Sequence, residues 1–478
     1  LSYFDIKQGD RVSFLMNNDI FLPVAYLGCF RIGAIAVPSS YFSSSQELIR
    51  ESNSCEPKIY FTTKECYPKF HNLKEHAKSV QNIVVIDAQT LKNDLKLSDI
   101  YQKIDTKYQN FTPIDLDENT PAMILYTSGS TGKPKGIIYT HKSLFANAKN
   151  RSETLNHNSL DTMFTPSYLS HGAATTVVLL PMLFCGGTTV LTAKHNIDSI
   201  VEIVEKNKVT HMLSSPIDWR DIVEKLHSKP HYFSSLKFAS TGGDAIAPDI
   251  QEKFKHLTGL PLNSSLGMTE CGGYMTTPPD IPSKDGSIGK PLNNVEVRVI
   301  DENDNGVQNL EIGELIVKSD MVMPYYFNDI ENTQKAFVDG WFKTGDLVYR
   351  DEDGYYFFKG RKKNVIVRDT GNINPQEVEY ALLKHPKIEN AIVMGVKNEL
   401  RGQDILAFLI PSDIKNHPTQ KELNDFLKEW IAQRKIPQYL IFMKSFPSQT
   451  TIGKVNMKEL KKIAIEFIQK EEDANKSL

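Results

Sequence analysis

Residues 125–136 read Leu-Tyr-Thr-Ser-Gly-Ser-Thr-Gly-Lys-Pro-Lys-Gly, a hydroxyl- and glycine-rich loop set between two apolar runs. Ahead of it, Ala122-Met123-Ile124-Leu125 has the pattern of a buried strand, and behind it Ile137-Ile138-Tyr139 has that of a returning strand. The loop must therefore join two strands tightly. Its glycines permit positive φ and close backbone approach, so amides can point at the oxygens of one anion. The hydroxyls of Ser128, Ser130 and Thr131 and the ammonium groups of Lys133 and Lys135 supply further donors. The stretch reads as a cradle for a polyphosphate, although the same composition also serves a solvated hairpin turn. A Walker-type loop does not fit, because that motif needs Lys followed by Ser or Thr at the start of a helix, and Lys133 is followed by Pro134.

At 478 residues the chain exceeds what one core usually supports, so two or more domains are expected. The formal net charge is −3 with no long basic run, which speaks against nucleic acid or an anionic membrane as partner and for a small soluble substrate. Five cysteines (Cys29, Cys55, Cys66, Cys185, Cys271) lack C-x-x-C spacing, which argues against a disulfide scaffold or a zinc site and for a reducing cytosol. The longest apolar run, residues 177–185, is broken by Pro181 and falls short of the ~20 residues that span a bilayer. Residues 1–4 have no charged region leading into an apolar stretch, so no signal peptide is expected. Residues 476–478, Lys-Ser-Leu, permute the S-K-L peroxisomal address without matching it. The expected location is cytoplasmic.

In chain order, a strand over 12–16, a helix over 20–32 and a strand over 34–38 make a βαβ unit. A helix over 47–53 and strands over 58–61 and 82–86 continue the parallel pattern, and residues 87–118 are expected to be loop-rich. A helix over 141–151, capped by Thr140, follows the cradle, and residues 161–185 hold a turn and then an apolar helix. His171 and Gly172 sit at that turn, where a lone His also serves as a plain structural hydrogen bonder. Strands over 188–191 and 211–213 flank a helix over 197–207. Residues 238–244 put Gly242, Gly243 and Asp244 at the carboxyl end of a strand, where α/β sheets bind ligands.

Leu266-Gly267-Met268-Thr269-Glu270 sets a hydroxyl and a carboxylate beside a glycine, which together can hold a phosphoryl oxygen and its Mg²⁺. Gly340-Trp341-Phe342-Lys343-Thr344-Gly345-Asp346 ends in an Asp able to accept from two ribose hydroxyls or to make a surface Asx-turn. After Gly360-Arg361-Lys362-Lys363 the pattern changes to a small α+β domain. There Asn374 caps a helix with Pro375 at its first position, strands run over 390–396 and 405–410, and a helix covers 420–434. Thr450-Thr451-Ile452-Gly453-Lys454 then places one lysine on a glycine turn.

These motifs, in this order, resemble the acyl-adenylate-forming (AMP-binding) enzymes, which include acyl-CoA synthetases, firefly luciferase and peptide-synthetase adenylation domains. The resemblance runs from Gly9 to Lys454 and is nearest to acyl/aryl-CoA ligases. It implies an α/β fold: a large N-terminal domain of βα-repeat sheets with a small β region (1–361), a hinge (362–363), and a small mobile α+β C-terminal domain (364–478). Family members usually carry a few tens of residues before the equivalent of Gly9, so the chain is expected to start inside its first domain.

Residue by residue, the resemblance implies that Thr127, Ser128, Gly129, Ser130, Thr131, Gly132 and Lys135 bind ATP phosphates. Gly242, Gly243 and Asp244 would pack beside adenine and the acyl group, with His171 and Gly172 lining the acid pocket. Thr269 would contact the α-phosphate and Glu270 the metal. Leu266, next to Gly267, stands where the family usually has a Tyr stacked on adenine, a departure that weakens the expected nucleotide grip. Asp346 and Arg361 would hold the ribose, Lys363 would act as the hinge, and Lys454 would bridge carboxylate and α-phosphate. The amino-acid-activating branch has an Asp just after the aromatic matched by Tyr168. Leu169 stands there, so an apolar aliphatic or aromatic acid without an α-amino group is expected.

The implied reaction is carboxylate activation by ATP and Mg²⁺ through an acyl-adenylate, then transfer to coenzyme A. Coenzyme A ligases often show I-K-x-x-G after the hinge, whereas residues 366–371 read Ile-Val-Arg-Asp-Thr-Gly, so a carrier-protein thiol stays open as acceptor. A nucleotide-binding module without turnover is the remaining alternative.

Overall fold

The computed structural model describes residues 1–88, 94–103, 114–127, 135–193, 196–226, 233–243, 246–368, 371–398, 402–447 and 455–476. The chain divides into two compact units, residues 1–297 with 317–343, and residues 298–316 with 344–478. Among the described residues no helix is long and apolar enough to cross a membrane.

In the first unit the expected βαβ opening is present as strand Arg11–Leu15, helix Phe21–Arg31 and strand Ile35–Pro38, with Arg11 paired parallel to Ile35. These strands belong to a seven-stranded sheet in the order Leu95–Lys96, Asn82–Val85, Ile59–Thr62, Arg11–Leu15, Ile35–Pro38, Pro121–Thr127, Lys135–Thr140. The first six run parallel, and Lys135–Thr140 returns antiparallel along Pro121–Thr127, so the glycine-rich loop does join two neighbouring strands. The helix Ser45–Cys55 starts on a full capping box, with the Ser44 hydroxyl on the Glu47 amide and the Glu47 carboxylate on the Ser44 amide. The helix His141–Thr154 has the same device at Thr140 and Ser143.

A second, wholly parallel five-stranded sheet runs Leu262–Ser264, Phe238–Thr241, His211–Ser214, Thr162–Phe164, Thr188–Val190. Helices Ile197–Lys206, Pro216–Leu226 and Pro248–Thr258 pack against it through Val201, Val204, Trp219, Ile222 and Phe254. Trp219 is fully buried, and its indole N–H donates to the Ser240 carbonyl at 3.0 Å, so the ring adds apolar area without stranding its donor. The apolar helix expected after the His171 turn begins as a π-helical stretch, Ala174–Leu179, and continues as Leu180–Cys185.

The second unit contains a five-stranded sheet in which Gly402–Pro411 lies between Ile366–Arg368 and Ile388–Asn398 and also pairs, in parallel, with Tyr439–Phe442. Asn374 caps Pro375–Leu382 by accepting from the Gln376 amide at 3.0 Å. The next helix is shorter than the 420–434 expected, spanning Gln420–Leu427. Ile431 and Ile436 both enter the same core as Leu427, and a spacing of five does not recur on one helical face. Residues 87–118, expected to be loop-rich, carry a short strand, Leu95–Lys96, and a helix, Leu97–Lys103. The helix Met457–Lys476 was not anticipated from its Lys- and Glu-rich sequence, yet Leu460 and Ala464, four apart, bury against Leu406 and Phe408.

Candidate active site

The returning strand Lys135–Thr140 carries the first group of site residues, in register with the outgoing strand through Thr127 and Lys135. Residues Ser128, Gly129, Ser130, Thr131, Gly132 and Lys133 lie outside the described residues, as do Asp244 and Lys454. The Lys135 ammonium group sits 4.7 Å from the centroid of the Tyr326 ring, and the Gly136 carbonyl accepts from the Phe327 amide at 2.7 Å. A Cβ at Gly136 would stand 3.1 Å from both Ile124 Cγ2 and Phe327 Cβ, so glycine lets residues 325–327 run close beside this strand.

Thr269 and Glu270 occupy the turn between strands Leu266–Met268 and Gly272–Thr276. The hairpin needs its glycines: a Cβ on Gly267 would meet the Gly272 carbonyl oxygen at 2.7 Å, and Gly272 has φ +68°. Three bonds then fix the turn. Tyr139 donates its hydroxyl to the Thr269 carbonyl at 2.5 Å, and the Met323 amide donates to the Glu270 carbonyl at 2.7 Å. Tyr326 donates its hydroxyl to Glu270 Oε1 at 3.0 Å. Burial, reinforced by the charge on Glu270, drives the phenol of Tyr326 far above the usual tyrosine range, so it stays a donor. Tyr139 is raised likewise, first by burial and then by Cys271 and Glu270. Thr269 and Glu270 remain only half-buried, and together they present a hydroxyl and a carboxylate, the hard oxygen donors that suit Mg²⁺.

The His171 turn comes to the same place. A Cβ on Gly172 would lie 3.5 Å from Thr269 Cγ2 and 3.4 Å from Leu125 Cδ1, so Gly172 packs between the cradle's strand and the Thr269 turn. His171 is exposed there, and its amide donates to the Tyr168 carbonyl at 2.8 Å. Tyr168 stacks on Tyr41 with centroids 5.2 Å apart, while Leu169 is a buried residue whose amide donates to Asn18 Oδ1 at 2.8 Å. Gly242 follows strand Phe238–Thr241, and its Cβ would approach the Ser265 carbonyl oxygen at 3.4 Å, next to Leu266. Gly243 has φ +91°, a conformation that favours glycine.

In the second unit, Asp346 and Arg361 are direct partners across adjacent antiparallel strands, with Arg361 Nε 2.6 Å from Asp346 Oδ1. Asp346 is fully buried, and its amide donates to Thr344 Oγ1 at 3.0 Å. Beside them, Glu314 accepts from the Gly345 amide at 3.2 Å and from Lys362 at 2.8 Å. Lys363 follows in a short 3₁₀ turn, Lys362–Asn364. Tyr139, Tyr326 and Glu314 escaped the reading of sequence because each acts on a motif tens to more than a hundred residues away.

Residues 1–327 match the model of the AMP-binding enzyme family, and residues 377–454 match that of the AMP-binding enzyme C-terminal domain. The chain belongs to the AMP-binding enzyme family. This AMP-binding enzyme is 28% identical over 474 residues to 4-coumarate–CoA ligase 3 of Arabidopsis thaliana, covering 95% of this chain and 82% of that protein. It is 29% identical over 467 residues to the medium-chain fatty-acid–CoA ligase of Escherichia coli K12, covering 96% and 82%. Among solved structures it is similar to ATP-bound MatB from Rhodopseudomonas palustris, with TM-score 0.87, 24% identity, and coverage of 97% and 90%. It is also similar to the anthranilate CoA ligase AuaEII in complex with anthranoyl-AMP, with TM-score 0.86, 23% identity, and coverage of 97% and 89%. These neighbours share its fold of large N-terminal and small C-terminal domains. The protein is a ligase, and the CoA ligases of its family use ATP, Mg²⁺ and coenzyme A.

Proposed function

We propose that this AMP-binding enzyme activates a carboxylic acid without an α-ammonium group and transfers the acyl group to coenzyme A. The acid's carboxylate attacks the α-phosphorus of ATP, forming an acyl–phosphate bond as pyrophosphate leaves. The coenzyme A thiol then attacks the acyl carbon, its proton is lost, and AMP departs. The observation that carries this reading is the convergence of Lys135, Thr269, the Tyr326-held Glu270 and Gly172. That set gathers at one turn the residues this reading assigns to phosphate, metal and acid.

In this reading Thr127, Ser128, Gly129, Ser130, Thr131, Gly132 and Lys135 hold the phosphates, and Gly243, Asp244, Leu266 and Gly267 flank the adenine. Asp346 and Arg361 take the ribose, His171, Gly172 and Gly242 line the acid's path, and Lys454 bridges carboxylate and α-phosphate. Thr269 would contact the α-phosphate and Glu270 would hold Mg²⁺, which would supply neutralisation of phosphate charge. Residues 364–478 turn as a domain about Lys363 between the half-reactions, relative to residues 1–361. The buried Leu169 supports the exclusion of α-amino acids, since its apolar side chain offers an ammonium group no acceptor in exchange for lost water. Five free thiols suit the cytoplasm.

Coenzyme A is favoured as acceptor because the two relatives described above, similar along most of this chain, are CoA ligases. Isolated acyl-adenylate mixed with enzyme and coenzyme A should yield thioester and AMP. Adenylate that persists with coenzyme A but is consumed by a phosphopantetheinylated carrier protein would replace it with the carrier reading.

A further inference from the structure

Helix His141–Thr154 buries an arginine. Arg151 is 1% exposed, and among the described residues nothing accepts from its Nε, Nη1 or Nη2. Burial draws its pKa down to about 10, and no carboxylate among the described residues opposes the effect. A guanidinium is a rigid fork of five donors that remains charged in proteins, and to bury one without an acceptor is costly.

The surrounding charges do not balance. Asp161 is already engaged: Oδ2 accepts from the Asn158 amide at 3.0 Å and side chain at 2.9 Å, and Oδ1 from Lys237 at 2.9 Å and Thr210 at 3.2 Å. His157 and His211, whose rings lie 4.4 Å apart, are held neutral, chiefly by burial. Among the described residues the buried charges here are Arg151 and Asp161, and Lys237 already neutralises Asp161, so the Arg151 cation is left over. The same imbalance argues against a metal ion on His157, Asp161 and His211, although their ligand atoms lie within 4.8 Å of one another, because a divalent ion would enlarge the excess. An anion would cancel it.

The location of Arg151 says which anion. A Cβ on Gly273 would stand 3.4 Å from Arg151 Nη1 and 2.8 Å from Val177 Cγ2. Gly273 lies three residues beyond Glu270, and Val177 five beyond Gly172. The two segments that touch at Gly172 and Thr269 therefore touch again at Val177 and Gly273, with Arg151 at the second contact. At a helical rise of ~1.5 Å per residue the two contacts are roughly 6–8 Å apart.

We infer that Arg151 pairs with a second carboxylate at the far end of the acyl substrate, so that the acid activated here is a short dicarboxylic acid. The inference rests on the carboxylate-activation reading and narrows its substrate class, replacing the wholly apolar acid expected from the turn at Leu169. A bidentate guanidinium–carboxylate pair would satisfy donors that are otherwise stranded, and a monoacid of the same length would leave them unpaired.

The test is ATP–pyrophosphate exchange by the full chain with a series of straight-chain α,ω-diacids and their monoacid counterparts, for wild type, Arg151→Leu and Arg151→Lys. Wild type should prefer its best diacid over the matching monoacid by about 100-fold or more in kcat/KM. Arg151→Leu should remove that preference, and Arg151→Lys, which keeps the charge but not the fork, should weaken it by about tenfold. Equal use of both acid types by wild type, or an unchanged ratio in whichever of the two variants folds, overturns the inference and leaves carboxylate activation standing. No exchange with any acid of either series overturns the dicarboxylate, while carboxylate activation falls only if a broad panel that includes aromatic acids also gives none.

Discussion

The Tyr326 hydroxyl reaches across 56 residues of sequence to donate to Glu270 Oε1 at 3.0 Å, while the Tyr326 ring faces the Lys135 ammonium at 4.7 Å. One side chain thereby fixes both the carboxylate assigned to Mg²⁺ and the cation assigned to phosphate.

Tyr326→Phe keeps the ring under Lys135 and deletes the donor to Glu270. Hydrogen bonds to charged groups are worth about 1.5–3 kcal/mol. We expect kcat/KM for ATP to fall by at least about tenfold and the Mg²⁺ concentration for half-maximal exchange to rise. A Mg²⁺ titration of both proteins checks this, and coincident curves would separate Tyr326 from the metal.

Asp346→Asn should reveal the ribose contact. It leaves Arg361 opposite an uncharged amide and removes one of the two carboxylate acceptors assigned to the ribose hydroxyls. Wild type should bind ATP more tightly than 2′,3′-dideoxy-ATP by about tenfold or more, whereas the variant should bind the two alike. Competition against a fluorescent nucleotide measures both ratios, and undiminished discrimination in the variant would put the ribose elsewhere.

Acid should destabilise the first unit through His157 and His211, which burial holds down to pKa values of about 3 and about 4 against an ordinary 6.5. Because the unfolded chain binds these protons first, their contribution is complete above pH 6.5 and is lost as pH falls toward 4 and below, by a few kcal/mol. Glu51 runs the other way: burial lifts its carboxyl to about 7 from 4.5, so its contribution is complete below pH 4.5 and is lost as pH rises to 7. His157→Phe should therefore shrink the drop in urea midpoint between pH 7 and pH 5 relative to wild type. An identical drop in both proteins would contradict the assignment to His157.

Much of this was legible in sequence because local pattern and tertiary role coincide. Thr140 and Asn374 cap their helices, and the strands flanking the cradle are neighbours in one sheet, as a tight connection requires. What escaped is non-local. The helix Met457–Lys476 hides a narrow apolar stripe, Leu460 and Ala464, under a dense coat of charge, and the helix from Gln420 stops where Ile431 and Ile436 leave a common helical face. Tyr326 lies in no motif, and Arg151 on a helix of mixed polarity looks like a surface residue until its burial is known.

Lys363→Pro tests the hinge. Proline fixes φ near about −65° and removes one donor, so a residue that must change its dihedral between half-reactions cannot do so. Adenylate formation should survive and thioester formation collapse, while Lys454→Ala should block adenylation yet leave supplied acyl-adenylate able to react. Single-turnover assays of each half-reaction read both variants, and equal losses for Lys363→Pro would mean misfolding instead of a lost hinge.

The most direct measurement is Mg²⁺-dependent ATP–pyrophosphate exchange across a broad panel of carboxylic acids, run beside nucleotide-binding titrations on the same preparation. Carboxylate activation predicts exchange that appears only with an acceptable acid, needs Mg²⁺, and is lost in Glu270→Gln. Normal nucleotide binding with no acid-dependent exchange from any member of the panel would contradict it and leave a nucleotide-binding module.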